Sequence, residues 1–476
     1  MANRVRLTVL AVLAMLSVFT LCAGVAVAAL MPARLALWHI PRVAAARVAA
    51  PAAVLAPAVP SGALPTRAGL ASELAPLIAS PSLGSHVGVA VTDLASGSVL
   101  FARAAGAPAT PASSAKVATG VAALSVLGAG ARFTTRVVHG PAGSIVLVGG
   151  GDPTLAAGRV PASDYPQPAT LASLASQTAR WLRTHGQRSV RLTYDVSLFT
   201  GPLTAPGWTS SYVTTGNVTP ITPLQVDQGR LTRSGKPEDA DNPGNFRPRS
   251  FTPAADAAAS FASFLRARGI RVDGRVTTTA APKGAATLAR VNSPSLSAIV
   301  SWMLRESNNV IAENLARHVA LRTGRPASFA GAAAAVTAAA ARLGVRRGIH
   351  LVDGSGLSPR DRITPMALAG LVRLAGGRQA VLRSAVTGMP VAGFSGTLAP
   401  GQSVFGHFGR AALGTVRAKT GNLTQVVSLA GIVSDASGRL LAFAFMADQL
   451  PRGQLVRAAS VIDQMATALA GCGCRS

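Results

Sequence analysis

The chain has 476 residues, enough for two or three domains with sizeable cores, and 49% of them are hydrophobic while 13% are charged. This composition excludes an intrinsically disordered chain. The formal net charge of +27 has two interpretations: attraction to anionic wall polymers or a membrane surface, or an arginine bias spread over the whole surface. No basic patch with interleaved aromatic residues occurs, which argues against nucleic acid as a partner.

Residues 1–30 have the features of an export signal. Two arginines precede an apolar run, residues 7–30, and Ala26-Val27-Ala28 forms a small-x-small cleavage site. The run is also long enough to span a bilayer uncut, so we expect an exported protein that is either secreted or anchored to the cell membrane. Residues 31–66 are rich in alanine and proline, which predicts an extended linker.

The folded part begins with a strand pattern. Residues 87–92 and 98–101 flank a turn at residues 93–97, which predicts a β-hairpin. The stretch from Val117 to Leu127 is apolar on all sides, as is typical of a buried helix.

A Ser113-x-x-Lys116 motif lies just before that helix. Pro111 favours a helix start, which would place both side chains on one face, one turn apart. A serine hydroxyl becomes a nucleophile when a nearby base takes its proton, and a lysine whose pKa is lowered can act as that base. Ser114 is the rival nucleophile, but on a helix it would point away from the lysine.

The middle of the chain predicts alternating strands and helices. Residues 144–148 form a short apolar strand that runs into three glycines, and residues 181–194 and 264–277 each indicate a helix that ends at glycine and is followed by a strand. This pattern predicts two αβ units on one sheet. After Ala286 we expect mainly helices, followed by three closing strands and a last helix. These elements are Leu296–Leu304, Val310–Leu321, Ala327–Leu343 and Pro365–Leu374, the strands Gly414–Ala418, Val426–Val433 and Leu440–Ala447, and the helix Gly453–Leu469.

Two further motifs follow Ser-x-x-Lys in order along the chain. Residues 307–309 supply a Ser-x-Asn and residues 419–421 a Lys-Thr-Gly. This order is the catalytic set of penicillin-binding proteins and serine β-lactamases. The chain has only four lysines, and two of them, Lys116 and Lys419, fall within these motifs, which argues against a chance match.

Cysteine and histidine usage excludes other site chemistries. Cys22 lies in the export segment, and Cys472 and Cys474 lie near the C-terminus, so the folded body has no cysteine nucleophile and no disulfide scaffold. The seven histidines are scattered without an H-x-x-x-H pair. We therefore expect no metal site and no cofactor.

Together with several additional segments, these motifs resemble one family along residues 80–470. It is the D-alanyl-D-alanine carboxypeptidase/endopeptidase family of low-molecular-mass, class C (type 4) penicillin-binding proteins, peptidase family S13. The segments are Pro111-Ala-Ser-Ser-Ala-Lys116, Gly149-Gly-Gly-Asp-Pro-Thr-Leu155, Ser197-Leu-Phe-Thr-Gly-Pro202, Pro206-Gly-Trp208, Ser307-Asn-Asn309, Asp353-Gly-Ser-Gly-Leu-Ser358, Pro390-Val-Ala-Gly393 and Lys419-Thr-Gly421.

The resemblance implies an α+β fold, in which a penicillin-binding/serine β-lactamase-like domain, an antiparallel sheet covered by helices, is interrupted by an inserted α/β domain. The 194 residues between Ser113 and Ser307 leave room for that insertion. We expect residues 67–131 and 286–470 to form the catalytic domain, residues 132–285 the inserted domain and residues 471–476 a tail.

The same resemblance implies a serine-type D-Ala-D-Ala carboxypeptidase, with or without endopeptidase activity, that acts on peptidoglycan peptides ending in D-Ala-D-Ala and is acylated by β-lactams. Ser113 would attack the carbonyl with Lys116 as base, Ser307 would relay a proton to the leaving group, and Asn309 would orient the lysine and the substrate. The substrate would contact Lys419, Thr420, Gly421 and Asn422, the backbone N–H groups of Ser113 and Asn422 would form the oxyanion hole, and Asp152 would contact a substrate side chain.

The sequence departs from the family pattern at two motif positions. Asn308 stands where aspartate is usual, and Asn422 stands where a hydroxyl residue usually follows Lys-Thr-Gly. The inserted interval also looks short for three domains. Two alternatives stay open: a non-catalytic penicillin-sensing or wall-binding protein on the same scaffold, and a weak β-lactamase. Neither Glu313 nor Asp353 has the spacing of a deacylating glutamate, so we expect slow release of bound penicillin.

Overall fold

The computed structural model describes residues 62–231, 247–402 and 404–474. The predicted export segment and all but the last five residues of the predicted linker lie outside these ranges. Among the residues that the structure describes, none of the helices has the length and apolar character needed to cross a bilayer.

The strands lie near both ends and in the middle of the described ranges, and helices connect these groups of strands. The helices are α1 (Arg67–Ile78), α2 (Lys116–Leu127), α3 (Leu171–Thr184), α4 (Ser211–Thr214), α5 (Pro253–Arg266), α6 (Leu296–Arg305), α7 (Asn309–Arg322), α8 (Phe329–Arg342), α9 (Pro365–Gly376), α10 (Ser384–Thr387) and α11 (Leu455–Gly471). The strands are β1 (Val87–Asp93), β2 (Val99–Arg103), β3 (Thr134–His139), β4 (Ile145–Val148), β5 (Ser189–Asp195), β6 (Arg271–Thr278), β7 (Thr287–Asn292), β8 (Ile349–His350), β9 (Arg362–Ile363), β10 (Val416–Leu423), β11 (Val426–Ser434) and β12 (Leu440–Ala447).

The first sheet joins the two ends of the described chain. Its strand order is β10-β11-β12-β1-β2, and every neighbouring pair is antiparallel. Strand β1 pairs with β12, with Val89 opposite Phe445. The predicted N-terminal hairpin and the three predicted closing strands therefore share one sheet, and β10, which carries the Lys-Thr-Gly motif, is an edge strand.

Alternation along β1 and β12 gives the first sheet two apolar faces. Ala90 and Met446 point into a core with α2, α6, α7, α8 and α9, which we call the inner face. Val89, Phe443 and Phe445 point into a second core with α1 and α11, which we call the outer face. The sheet is thus buried between two helical layers and is held rigidly from both sides.

The second sheet has the order β6-β5-β4-β3-β7 and draws its strands from residues 134–292. Strands β4, β5 and β6 are parallel, and α3 and α5 pack on one face of the sheet around Phe261 and Leu192. The two predicted αβ units therefore lie on one sheet. The exact division into domains stays a prediction.

Two elements differ from the expected order. The chain does not become helical directly after Ala286, because residues 287–292 form β7 and pair with β3. That pairing supplies backbone hydrogen bonds which a short sequence of mixed polarity does not reveal by itself. Helix α1 was not predicted; Thr66 caps it by accepting a hydrogen bond from Gly69 N at 3.0 Å, and Leu70 and Leu74 bury it on the outer face. At the C-terminal end of α11, Cys472 and Cys474 form a disulfide.

Candidate active site

The Ser-x-x-Lys motif lies on a tight turn rather than on a continuous α-helix. Residues Ala112–Ala115 form a 3₁₀ turn and α2 begins at Lys116. Ala112 has a φ of 47°, in the left-handed region that residues with a side chain rarely adopt, which is typical of functional turns. This turn places Lys116 Nζ 2.8 Å from Ser113 Oγ.

The structure separates the two candidate nucleophiles. Ser113 is half-buried and lines the main cavity. Ser114 is fully buried; its hydroxyl donates to Pro111 O at 2.7 Å and lies 3.1 Å from Ser428 Oγ. The hydrogen bond between Ser114 and Ser428 therefore joins the turn to β11, and Ser113 is the serine that a substrate can reach.

Lys116 is fully buried and its Nζ is surrounded by oxygen atoms. Besides Ser113 Oγ, its Nζ lies 2.7 Å from Asn309 Oδ1 and 2.8 Å from the backbone carbonyl of Ser355. A side chain of this size is buried at low energetic cost only when its polar end is hydrogen-bonded. Asn309 thus contacts the lysine as the family resemblance implied.

The Ser-x-Asn motif lies at the start of α7, and each of its three residues has a distinct environment. Ser307, with a φ of 53°, lines the cavity and is 8% exposed. Asn308 caps the helix by accepting from Ile311 N at 3.0 Å. Asn309 donates through Nδ2 to Asn217 O at 2.9 Å, which fixes its Oδ1 towards the lysine. Capping explains why asparagine is acceptable at position 308, because it serves as a helix N-cap as well as aspartate does.

Strand β10 runs close to the nucleophile turn. A Cβ atom on Gly421 would lie 2.6 Å from Pro111 O and 2.9 Å from Ser114 N, so only glycine permits this approach. Lys419 is fully buried, with Nζ donating to the carbonyl of Thr420 at 2.8 Å. Thr420 Oγ1 lies 2.7 Å from Thr397 Oγ1. The Lys-Thr-Gly motif is therefore packed against the serine motif at Gly421.

A cavity of about 1450 Å³ opens in front of these groups. Ser113, Ser307, Asn309 and Asn422 lie on its wall, while the two lysines are buried behind it. Residues between positions 154 and 230 form another part of the wall, so the segment before and after β5 contributes to the cavity. Basic side chains outnumber acidic ones in the lining: Arg159, Arg230, Arg247, Arg249 and Arg452 against Asp164, Asp227 and Glu306.

Asp152 has a different environment from the other predicted site residues. It is 2% exposed, and its carboxylate accepts from Thr154 N at 2.8 Å and from Thr154 Oγ1 at 2.6 Å. Burial raises the pKa of Asp152 to about 6 in spite of these hydrogen bonds. The structure brings Thr154, not Asp152, to the cavity wall, so the substrate role of Asp152 stays a prediction.

Three buried carboxyl groups lie behind Lys116. Glu313 accepts from Gly354 N at 3.0 Å and Ser355 N at 2.8 Å, and Asp353 accepts from Trp208 Nε1 at 2.8 Å. Burial, and then the charge of Asp353, raises the pKa of Glu313 to about 7 and that of Asp361 to about 10. Glu313 and Asp353 are both fully buried, so neither meets the cavity.

Sequence reasoning missed several groups that complete the site. The Ser355 carbonyl, the Asn217 carbonyl and the Thr397 hydroxyl all bind motif residues. A backbone carbonyl has no residue signature, so the Asn217 carbonyl could not be read from residue types. The Asp-Gly-Ser-Gly sequence was a usable signal for Ser355, since its glycines indicate a loop that closely approaches other backbone.

Comparison with known proteins identifies the family to which the chain belongs. The model of the D-Ala-D-Ala carboxypeptidase 3 (S13) family matches residues 70–247 and 234–470. The chain belongs to this family. The predicted family and enzyme class, a serine-type D-Ala-D-Ala carboxypeptidase, are thereby confirmed.

Individual S13 relatives agree with this result. A carboxypeptidase DacB of Mycolicibacterium smegmatis is 38% identical over 420 residues, which cover 87% of this chain and 86% of the relative. A D-alanyl-D-alanine carboxypeptidase of Actinomadura sp. is 29% identical over 75% of this chain and 77% of its own length. The crystal structure of penicillin binding protein 4 of Haemophilus influenzae superposes with a TM-score of 0.67 at 23% identity, over 83% of this chain and 99% of that chain. This superposition confirms the predicted fold class.

Proposed function

We propose that this S13 protein removes the terminal D-alanine from peptidoglycan stem peptides through an acyl-enzyme on Ser113. The observation that carries the proposal is the meeting of Ser113 Oγ, Lys116 Nζ and Asn309 Oδ1 within hydrogen-bond distance beside a large cavity. A nucleophile, a base and a group that orients the base are the three parts that such chemistry needs.

The reaction follows from these positions. Neutral Lys116 takes the proton of Ser113 as Oγ bonds to the carbonyl carbon of the penultimate D-alanine. The C–N bond then breaks, and the proton passes from Lys116, through Ser307, to the departing amine of the last D-alanine. Water afterwards cleaves the ester, releasing the shortened peptide and regenerating Ser113. The backbone N–H groups of Ser113 and of Asn422 would stabilise the oxyanion.

The charge of the cavity suits an anionic peptide. The lining arginines attract a substrate that carries a terminal carboxylate, and buried Lys419 adds positive charge behind Thr420. The net charge of +27 extends this attraction to anionic wall polymers or to the outer surface of the cell membrane. We propose that the protein acts there, outside the cytoplasm.

The test is release of D-alanine from a pentapeptide ending in D-Ala-D-Ala. We expect release by the wild-type protein and none by Ser113→Ala. Absence of release by the folded wild-type protein would favour the non-catalytic, penicillin-sensing alternative.

Penicillin should acylate the same serine and leave slowly. The carboxylates of Glu313 and Asp353 are fully buried and bound to backbone N–H groups, so they cannot activate water in the cavity. We expect intact-mass spectrometry to show a lasting adduct. Rapid recovery of the unmodified mass with free penicilloate would support the β-lactamase alternative.

An endopeptidase activity is favoured by the size of the cavity. Its volume of about 1450 Å³ exceeds the roughly 300–1,000 Å³ typical of small-molecule pockets, which leaves room for the branched leaving group of a cross-linked peptide. Mass analysis of cross-linked and uncross-linked wall fragments after digestion distinguishes the two activities. Cleavage of the uncross-linked fragments alone would restrict the enzyme to carboxypeptidase action.

A further inference from the structure

The acceptors around Lys116 determine where its lone pair points. As a base the lysine must be neutral, with two N–H donors and one lone pair. Asn309 Oδ1 and the Ser355 carbonyl, at 2.7 and 2.8 Å, can only accept hydrogen bonds, so they take the two N–H groups. Ser113 Oγ, at 2.8 Å, can donate, and the lone pair therefore faces the nucleophile.

This arrangement works only if both acceptors are fixed. The Asn309 amide is oriented by its hydrogen bond to the Asn217 carbonyl, at 2.9 Å. The Ser355 carbonyl belongs to a loop whose backbone is held by Glu313 and Asp353. Glu313 Oε1 accepts from Gly354 N at 3.0 Å and Ser355 N at 2.8 Å, and Asp353 Oδ1 accepts from Ser355 N at 3.0 Å and Gly356 N at 2.7 Å. Only Gly354 N depends on Glu313 alone.

Glu313 lies one turn after Asn309 on α7, so a single helix face controls both acceptors. The loop fits closely between α7 and the nucleophile turn. A Cβ atom on Gly354 would lie 2.7 Å from Ala316 Cβ, and one on Gly356 would overlap Ala112 O. Thr119 Oγ1 of α2 also donates to Gly354 O at 2.6 Å. A shift of this loop therefore moves the Ser355 carbonyl relative to the lysine.

We propose that Glu313 is a positioning residue for acylation: through the Gly354–Ser355 backbone it sets the carbonyl that aims the Lys116 lone pair at Ser113. This role rests on the proposed function of Ser113 and Lys116. Glu313 touches neither substrate nor the reacting atoms, because it is fully buried behind the lysine.

The charges around Glu313 make its hold on the loop dependent on pH. Arg317 Nη1 lies 3.3 Å from Glu313 Oε2, and Asp353 and Asp361 are the other ionisable groups of this buried cluster. Burial raises the pKa of Glu313 to about 7. An ionised carboxylate accepts backbone N–H hydrogen bonds more strongly than a neutral one, so the loop is held more firmly above neutral pH than below it.

Two variants and a matched control test the role. Glu313→Gln keeps an acceptor oxygen of the same shape. Glu313→Ala leaves Gly354 N without its acceptor and leaves Ser355 N with Asp353 Oδ1 alone, at 3.0 Å. Asp463→Asn is the control, because Asp463 is also fully buried and accepts from two backbone N–H groups, Gly406 at 2.9 Å and His407 at 2.8 Å, but on the outer face. The measurements are the rate of acylation by penicillin, and kcat and KM for the pentapeptide, between pH 5 and 9.

We expect kcat and the acylation rate to fall about tenfold in Glu313→Gln and about a hundredfold in Glu313→Ala, with KM nearly unchanged, because misplacing a base by a fraction of an ångström acts on the chemical step. In the wild-type protein we expect the acylation rate to rise as Glu313 ionises near pH 7. The Gln variant should lack this rise. Asp463→Asn should retain the wild-type rate and profile.

Full-rate acylation by folded Glu313→Gln with an unchanged pH profile would overturn the positioning role, as would equal losses in Asp463→Asn. If Glu313→Ala does not fold, the Gln variant decides. A wild-type protein that forms no penicillin adduct would instead refute the proposed function itself.

Discussion

The two faces of the first sheet bury very different side chains. On the inner face, Lys116, Glu313, Arg317, Asp353 and Asp361 are all essentially inaccessible to water, within or beside a helical core. The outer face is built from apolar groups such as Leu70, Leu74, Phe443, Phe445 and Met465. Both faces belong to the same five strands, so sheet geometry alone does not explain the difference.

Both faces bury an apolar core, so the contrast shows which of them also supplies chemistry. Burying charged groups is costly unless they are paired and hydrogen-bonded, so a cluster of them is evidence of function more than of stability. Burial of apolar surface contributes about 25 cal/mol per Å², and the outer face contributes this term without comparable charge burial. The apolar cores of both faces offset the cost of the site.

The largest expected effect is the loss of D-alanine release when the nucleophile on the inner face is removed. Ser113→Ala should lower D-alanine release by more than about 10³-fold without loss of stability, because no other group can form the acyl-enzyme. Ser114→Ala should keep most of the activity and lose about 1–2 kcal/mol of unfolding free energy, since its hydroxyl bonds to Pro111 O and Ser428. Release assays and urea unfolding check both variants. The reverse pattern would reassign the nucleophile.

A substitution on the outer face should lower the stability of the protein and leave the acylation rate unchanged. Phe443 is fully buried and lies against Phe445 with ring centroids 4.8 Å apart. Phe443→Ala should reduce the free energy of unfolding by about 3–5 kcal/mol through lost burial and a cavity. The folded fraction should still be acylated by penicillin at the wild-type rate at low temperature. A large loss of that rate in folded protein would break the division between the two faces.

Gly421 tests the approach of β10 to the nucleophile turn. Gly421→Ala should slow acylation about a hundredfold, because the new methyl group would push the strand away from Pro111 and Ser114. Gly130→Ala is the control, since no atom lies within 4 Å of a Cβ placed there. Equal acylation rates in the two variants would show that this close approach does not matter.

The smallest expected effect is a change of stability with pH that comes from Asp463, a buried carboxylate of the outer face. Burial raises the pKa of Asp463 from 3.8 to about 7, against the opposing effect of the His407 and Gly406 N–H groups. The folded state then keeps a proton that the unfolded chain has released, so the free energy of unfolding falls as pH rises from about 4 to 7.

Asp463→Asn should remove that contribution. Between pH 5 and pH 8 the variant should lose less stability than the wild-type protein, by on the order of 2 kcal/mol. Urea unfolding at the two pH values measures the difference. Parallel losses in both proteins would show that Asp463 ionises near its ordinary pKa.

Residue patterns predicted much of the fold and the main groups of the site. Apolar runs and glycine stops indicated most helices and strands, and the three motifs indicated Ser113, Lys116, Asn309 and Lys419. Pairing partners were less visible: β7 forms because β3 offers an edge, which its own sequence does not show. Helix α1 packs against α11 in one apolar cluster and contains Pro76, which obscures a helical pattern.

The inner organisation of the site was beyond residue patterns for a physical reason. The Ser355 and Asn217 carbonyls are backbone atoms, and their positions follow from how loops meet in space. Glu313 was considered only as a deacylating residue, and its spacing spoke against that role. Its contact with the Gly354–Ser355 backbone appears only when α7 and the loop are placed together.

The most direct test of the central claim is to locate the penicillin adduct by tandem mass spectrometry. Trypsin cleavage after Arg103 and Lys116 releases residues 104–116, which contain both Ser113 and Ser114. Our account predicts fragment ions that place the penicilloyl mass on Ser113. An adduct on Ser114, or on a residue outside this peptide, would contradict it.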